Sequence, residues 1–424
     1  MSIKPNSKIA IVGSGISGLG IASLLNEQHD IRVYEANDYL GGHSRTIDVA
    51  TRDGKIAVDT GFIVFNHRTY PLLTGMFEHF GVDTAKSEMS FGASVNNGWL
   101  EYSTDNIFSF FAQRRNFTRM QFIRMLIDIV RFNFLAPRYL NGKGELSLGQ
   151  CLDELGMSEW FRRYFLLAMG GAIWSTPVEQ MLEFPAASFI RFFENHGLLT
   201  VANQPQWYTV KGGSREYVKK ISAPFIDKVR LSTAVKEVVR NAENVLVVDR
   251  NGGRELFDHV VFASHADTTL GLINNPTTTE QTVLSQFSYL PNTVYLHSDA
   301  SFMPQRRGAW ASWVYRSDQE EDKSSVVSLS YWMNNLQPLE TDEPIIATLN
   351  PGCEPDPALT HDVHTFQHPM FDSAAMDAQS RISEMQGTDR LWFCGAYQFY
   401  GFHEDGLRSA CQLGEKLGVK IPWQ

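Results

Sequence analysis

Residues Lys8–Glu35 read KIAIVGSGISGLGIASLLNEQHDIRVYE. Lys8–Val12 is an apolar run of strand length, and Gly13-Ser14-Gly15-Ile16-Ser17-Gly18 follows it at once. A helix-forming stretch then reaches about Asn26, and a second apolar strand, Ile31–Tyr34, is closed by Glu35. A GxGxxG gains meaning in this strand–turn–helix–strand setting. Gly13 permits the tight turn, Gly15 lets backbone approach a pyrophosphate, and Gly18 lets the helix pack close to the strand. The first helical turn offers unpaired N–H groups and the positive end of the helix dipole to phosphate oxygens. Glu35 stands where a carboxylate accepts hydrogen bonds from a ribose, a placement that a ligand-free glycine turn leaves unexplained. The stretch predicts a dinucleotide site.

Working outward, 424 residues exceed one small domain, and two domains is the natural expectation. A hydrophobic share of 43% and a charged share of 20% describe a globular protein with ample core. The net charge of −10 argues against a nucleic-acid partner. Cys151, Cys353, Cys394 and Cys411 lie far apart without a CxxC, so neither a disulfide framework nor a zinc site is expected, and a reducing, cytoplasmic setting fits. Neither a signal-like apolar segment near Met1 nor a run of membrane-spanning length is visible, so a soluble or peripheral protein is expected.

Directly after Glu35 come Gly41-Gly42, His43 and Arg45, a second approach to phosphate. Ile47-Asp48-Val49 and Lys55–Val58 read as a hairpin turning at Asp53-Gly54, and it runs into Asp59-Thr60-Gly61-Phe62. Residues 66 to about 200 look mainly helical and include Gly170-Gly171-Ala172-Ile173-Trp174-Ser175. Within them, 106–140 repeats Phe110, Phe117, Met120, Ile123, Ile127 and Val130 at helical spacing, interleaved with Arg114, Arg115, Arg119, Arg124 and Arg131. Two readings stand: a core-packed helix with a solvated arginine face, or a basic amphipathic helix on an anionic membrane surface. Further on, Tyr208–Gly213 leads into a helix from Ser214, and strands are expected at Val229–Val239, Val245–Asp249 and Asp258–Ala263. Others are expected at 292–298, 309–315 and 325–333. The closing stretch, 390–417, is a strand ending in Gly395 followed by a helix from about Asp405-Gly406.

The ordered series GxGxxG, Glu35, Gly41-Gly42 and Asp59-x-Gly61 resembles the flavin-containing amine oxidase and phytoene desaturase superfamily. The resemblance covers nearly the whole chain and implies an α/β fold: a Rossmann-type FAD-binding domain with an inserted α+β substrate domain. It divides the chain into a discontinuous FAD domain (1–65, 200–264 and 389–424) and a substrate domain (66–199 and 265–388). The implied cofactor is FAD, held by Gly13, Gly15, Ile16, Ser17, Gly18, Glu35, Gly42, His43, Arg45, Gly61 and Phe62. Val235 would meet the adenine through its backbone, and Gly395, Glu404, Asp405, Gly406 and Leu407 would form the last flavin motif. His43 stands where the family usually has arginine, so Arg45 is an alternative source of charge for the pyrophosphate.

Most amine oxidases of the superfamily hold a water near the flavin with a lysine, yet no lysine occurs between Lys236 and Lys323. The aromatic wall before the flavin corresponds to Tyr397, Tyr400, Phe402 and His403, with Tyr295 or Asn292 opposite. His403 is the expected base, because an imidazole titrates near neutral pH; core packing is the competing reading of these rings. His361, Asp362, His364 and His368 could share a helix face as metal ligands, but Pro369 follows and no cysteine supports the set, so no metal is expected. The phrasings GGHSRT, VDTGFIVFN and YGFHEDGL resemble a bacterial subgroup associated with cyclopropane-fatty-acid-synthase-like lipid methyltransferases and implicated in furan fatty acid formation. That resemblance implies an FAD-dependent desaturase of fatty-acyl or methylated fatty-acyl chains. Peripheral contact at the inner face of the membrane through 106–140, and a methyltransferase partner, are further expectations. A flavin amine oxidase and a flavin-binding partner of the methyltransferase are the alternatives.

Overall fold

The computed structural model describes residues 3–141, 146–174, 181–195, 197–199, 204–317 and 328–424. Ser175 of the GGAIWS motif and residues 325–327 of one expected strand lie outside the described residues. The opening stretch folds as read: strand β1 (Lys8–Val12), helix α1 (Ile16–Leu25) and strand β2 (Asp30–Tyr34). Parallel pairing builds a five-stranded sheet in the order Val229–Arg230, β2, β1, His259–Phe262, Leu391–Phe393. Both faces of a parallel sheet are covered, which is why β1 and its neighbours are near-continuous apolar runs. Three distant parts of the chain meet there.

Helix α1 lies between this sheet and the C-terminal helix, His403–Lys416, and is buried on almost every side. Small residues allow that closeness. A Cβ on Gly18 would collide with the Gly13 carbonyl oxygen, and one on Gly20 would come within 2.9 Å of Leu407. This is a fold reason for Gly18, distinct from any ligand.

The second large sheet has seven strands, in the order Thr360–Pro369, Tyr289–His297, Ile346–Leu349, Ser328–Trp332, Trp313–Ser317, Phe91–Val95, Leu100–Ser103. Its one parallel pair, Phe91–Val95 with Trp313–Ser317, joins residues near 90 to residues beyond 300. A phenylalanine-rich core, including Phe122, Phe132, Phe161, Phe189 and Phe193, fills the helical layer beside it.

Several expectations need correction. Residues 66–200 are not simply helical, because Thr84–Ser87, Phe91–Val95 and Leu100–Ser103 pair into sheets. The strand expected over Val229–Val239 is two, Val229–Arg230 and Val235–Arg240, in different sheets, and Ser232 turns between them at φ 50°. The strand expected at 309–315 begins at Trp313, after a 3₁₀ turn at Arg307–Ala309. The histidines near 361–368 sit on a strand rather than a helix. Alternation therefore sends His361 to the face opposite His364 and His368. Among the described residues no group of three metal-ligating side chains converges.

Candidate flavin and substrate cavity

One continuous cavity of about 1,310 Å³ runs through the molecule. That exceeds the roughly 300–1,000 Å³ of ordinary small-molecule sites and leaves space for a second ligand beside a dinucleotide. At one end are Gly13–Ser17, Glu35, Ala234 and Val235; in the middle Gly42, His43, Gly61, Phe62, Gly395 and His403; at the other end Phe91, Phe165, Met169, Phe192 and Trp313.

The nucleotide end grows from the first βα turn. Gly15 caps α1 at φ −64°, and a Cβ built there meets nothing within 4 Å. It faces open cavity, which is the cradle a diphosphate requires. Glu35 is buried, with Oε2 accepting from the Ser14 N–H (3.0 Å) and hydroxyl (2.5 Å) and Oε1 from the Asn37 N–H and side-chain amide (both 2.9 Å). A ribose hydroxyl would take the place of the Ser14 hydroxyl, which can rotate away while the two backbone donors stay fixed. Among the described lining residues Arg250 is the one arginine or lysine, so phosphate charge falls mainly to backbone N–H groups and the α1 dipole.

The middle is positioned by Asp59. Its carboxylate accepts from Thr46 Oγ1 (2.6 Å), from Ser214 N–H (2.8 Å) and Oγ (2.8 Å), and from Gln337 Nε2 (2.9 Å). Burial raises this carboxyl to about 6 in spite of those donors. The segments at Ser214 and Gln337 are thereby tied to the hairpin end that carries Gly61 and Phe62, while Thr46 belongs to the hairpin itself. At Gly61 a Cβ would strike the His43 carbonyl oxygen, and Phe62 N–H donates to that oxygen at 2.8 Å. Phe62 stacks on His403 with ring centroids 4.0 Å apart and planes 10° apart.

His403, the expected base, lines the cavity. Its Nε2 lies 2.6 Å from the Tyr217 hydroxyl and 3.3 Å from Ser44 Oγ, and burial pulls the imidazole down to about 3. The ring is held neutral on the cavity wall by burial, stacked on Phe62 and hydrogen-bonded to Tyr217. Its partner Tyr217, which also hydrogen-bonds Ser44, carried no motif in the sequence. His43 is likewise held neutral by burial, with the neighbouring histidines adding to the effect, and it stacks on Phe366 at 4.7 Å. It supplies no cation.

Other site expectations separate cleanly. Gly13, Gly15, Ile16, Ser17, Glu35, Gly42, His43, Gly61, Phe62, Val235, Gly395, Tyr397, Tyr400 and His403 all line the cavity. Arg45 is instead engaged by Asp362 in a bidentate pair (2.6 and 3.0 Å), away from the cavity wall. Tyr295 points to the far side of its strand and donates to Glu354 at 3.0 Å, while Val294 next to it faces the cavity. Asn292 is buried but holds Asn350, also off the wall. Glu404 accepts from the Leu72 and Leu73 N–H groups (both 2.9 Å), capping helix α2 (Pro71–His79), and Asp405 accepts from Phe402 N–H at 3.1 Å within its own helix. Gly406 and Leu407 pack against Ile16 and Gly20 of α1. These four shape the nucleotide domain without forming cavity wall, and Gly18 joins them.

The far end is apolar. Phe165 lies on a single π-helical turn, Arg162–Leu166, and with Met169, Phe192, Phe91 and Trp313 it encloses this part of the cavity. Irregular helical turns of this kind often serve sites, but no local sequence pattern marks this one. Among the described lining residues, Asp105, exposed at the rim, is the sole charged one at this end, and none in any part is a lysine.

A family model described as flavin containing amine oxidoreductase matches residues 16–413. A Mycobacterium tuberculosis protein named flavin-containing monoamine oxidase AofH is 25% identical over 262 residues, which are 58% of this chain and 54% of that protein. The match thus spans about half the length of that relative. The crystal structure of a CLA-producing fatty acid isomerase from P. acnes superposes with a TM-score of 0.70 at 14% identity, covering 99% of this chain and 100% of that one. Wild-type putrescine oxidase bound to putrescine superposes with a TM-score of 0.67 at 15% identity, covering 97% and 99%. Cyclohexylamine oxidase from Brevibacterium oxydans gives 0.65 at 15%, covering 98% and 100%. At such identities the structural matches speak for the fold.

Proposed function

The chain belongs to the flavin containing amine oxidoreductase family and is an FAD-dependent oxidoreductase; from that premise we propose that it dehydrogenates a fatty-acyl or methylated fatty-acyl lipid chain. The observation that carries this reading is the apolar substrate end, where Phe91, Phe165, Met169, Phe192 and Trp313 offer no charged partner. An amine is a cation at neutral pH, and burying it without a carboxylate is costly. A hydrocarbon chain gains roughly 0.8 kcal/mol for each CH₂ it buries. FAD, when bound, supplies the two-electron acceptor; the substrate loses a hydride and a proton and gains a carbon–carbon double bond. The protein's own share is to orient the chain against the wall of Tyr397, Tyr400 and Phe402 and to exclude water. Phe62, His403 and Tyr217 form a neutral, hydrogen-bonded platform beneath it.

The likeness to a fatty acid isomerase supports an apolar chain, and the likeness to putrescine oxidase supports the second reading, oxidation of an amine. For that reading the relevant observation is the rim carboxylate of Asp105. Anaerobic mixing of the FAD-loaded protein with dispersed fatty-acyl lipids and with an amine panel separates them. Bleaching of the flavin absorbance by acyl lipids alone is the expected result; bleaching by amines alone overturns the proposal. Reduction by neither, together with stable capture of a lipid methyltransferase, would favour the binding-partner alternative.

A further inference from the structure

We infer that the face formed by helix α3 (Ile107–Phe110), the turn Arg114–Phe117 and helix α4 (Met120–Leu135) docks on an anionic phospholipid bilayer. Helix α4 has two apolar stripes. Phe122, Met125, Ile129 and Phe132 are buried in the core, while Met120, Ile127, Val130 and Phe134 form a second stripe that is exposed. Phe134 is 77% exposed, and on α3 Phe108 is 84% exposed. Twelve large hydrophobic side chains are exposed among the described residues, and seven of them lie between Ile107 and Phe134. Clustering of that kind marks an interaction surface, whereas scattered single residues do not.

Charge selects the occupant. Residues 106–140 hold six arginines and one acid, Asp128, in a chain whose net charge is −10. These arginines do not make a uniformly solvated face. Arg124 and Arg131 both pair with the buried Asp128, and Arg115 and Arg119 hold the Trp99 carbonyl. Arg114 and Arg138 are exposed beside the apolar stripe. A second copy docking through this face would set arginines against arginines, whereas an anionic lipid surface attracts them. Helices α3 and α4 also wall the cavity, through Ile107, Phe110, Ile129 and Asn133. The docking face and the rim of the apolar end therefore share two helices. Docking rests on the exposed face alone; delivery of a chain from the bilayer into the cavity rests on the acyl-substrate proposal above.

Flotation of the full-length, FAD-loaded protein with vesicles tests the docking. Phosphatidylcholine vesicles containing phosphatidylglycerol should bind it, pure phosphatidylcholine should bind it less, and high salt should release it. The double variant Phe108→Ser/Phe134→Ser should lose at least about tenfold in partitioning with an unchanged flavin spectrum. Arg114→Gln/Arg138→Gln should lower the preference for phosphatidylglycerol several-fold. Absence of binding to either vesicle overturns the inference, as does a double variant that binds like wild type. A self-association in sedimentation that the same variant abolishes would assign the face to a second copy and overturn it too. Because detergent-dispersed acyl lipid reaches the cavity without a bilayer, flavin reduction by it in a protein that ignores vesicles would overturn docking and leave the substrate proposal standing.

Discussion

Gly15→Ala and Gly18→Ala place one methyl group on either side of the same turn and should fail in different ways. At Gly15 the backbone is in an ordinary region, φ −64°, and the new Cβ meets nothing within 4 Å in the ligand-free protein. Apo stability should therefore hold or rise by about 0.4–1 kcal/mol, because alanine restricts the unfolded chain. The methyl projects into the space where backbone must approach the diphosphate. If it breaks one charge-assisted hydrogen bond, the loss is about 1.5–3 kcal/mol, or roughly 10- to 150-fold in the Kd for FAD. Gly15→Val, with two further carbons in that space, should abolish binding. At Gly18 the methyl collides with the Gly13 carbonyl oxygen, which is backbone and cannot swing aside. The turn must open, and stability should fall by about 1–3 kcal/mol, the usual cost of overpacking. Urea unfolding of the apo forms and titration of flavin fluorescence read the two quantities separately. A Gly15→Ala protein that binds FAD as tightly as wild type would refute the placement of the diphosphate. So would one that unfolds as easily as Gly18→Ala.

Glu35→Ala should weaken FAD binding by about 1–3 kcal/mol in calorimetry. Because Glu35 also ties Ser14 to Asn37, the apo protein should lose stability as well, and an unchanged FAD affinity would remove Glu35 from the ribose. His403→Asn should keep its flavin and slow reduction by less than about tenfold, short of the ~10²-fold expected for a lost general base. Neither form should show a pH leg near 6.5 assignable to this ring; a wild-type leg there that the variant loses would restore His403 as the base. The folded imidazole titrates near 3 and the unfolded one near 6.5. Between those values the unfolded chain binds the extra proton, so this residue's contribution to stability is lost as pH falls through that window. His403→Asn should flatten that part of the acid-unfolding curve.

The nucleotide end was legible in the sequence because its chemistry is local: Gly13, Gly15 and Glu35 act within one strand–turn–helix–strand unit. The substrate end was not, since Phe91, Phe165, Phe192 and Trp313 come together only through sheet pairing and core packing of distant segments. Tyr295 shows how narrowly such a reading fails. A shift of one position along a strand exchanges its two faces, and Val294 faces the cavity instead. Glu404 and Asp405 were assigned by motif position, yet their carboxylates cap helix ends. His403 was placed correctly on the wall, but its chemistry depends on burial beside Phe62 and Tyr217, which no spacing encodes. The arginines of 106–140 looked like one face and divide into a pair that clamps the buried Asp128, a brace on Trp99, and Arg114 and Arg138, which stand exposed.

The contact between α1 and the C-terminal helix has a consequence for biosynthesis. Ser17 donates to the Gly406 carbonyl oxygen at 2.9 Å across 389 positions of sequence, and Gly406 itself packs on Ile16. The phosphate-binding turn is made 389 residues before the helix that seats it. At roughly 5–20 residues per second, the first helix waits on the order of 20–80 s for its partner. Throughout that interval the apolar flank of α1 that Leu407 and Ala410 will cover has no native cover. FAD thus has no finished site on the nascent chain until the helix around Gly406 has emerged, and supply of the cofactor bears on folding only after that point.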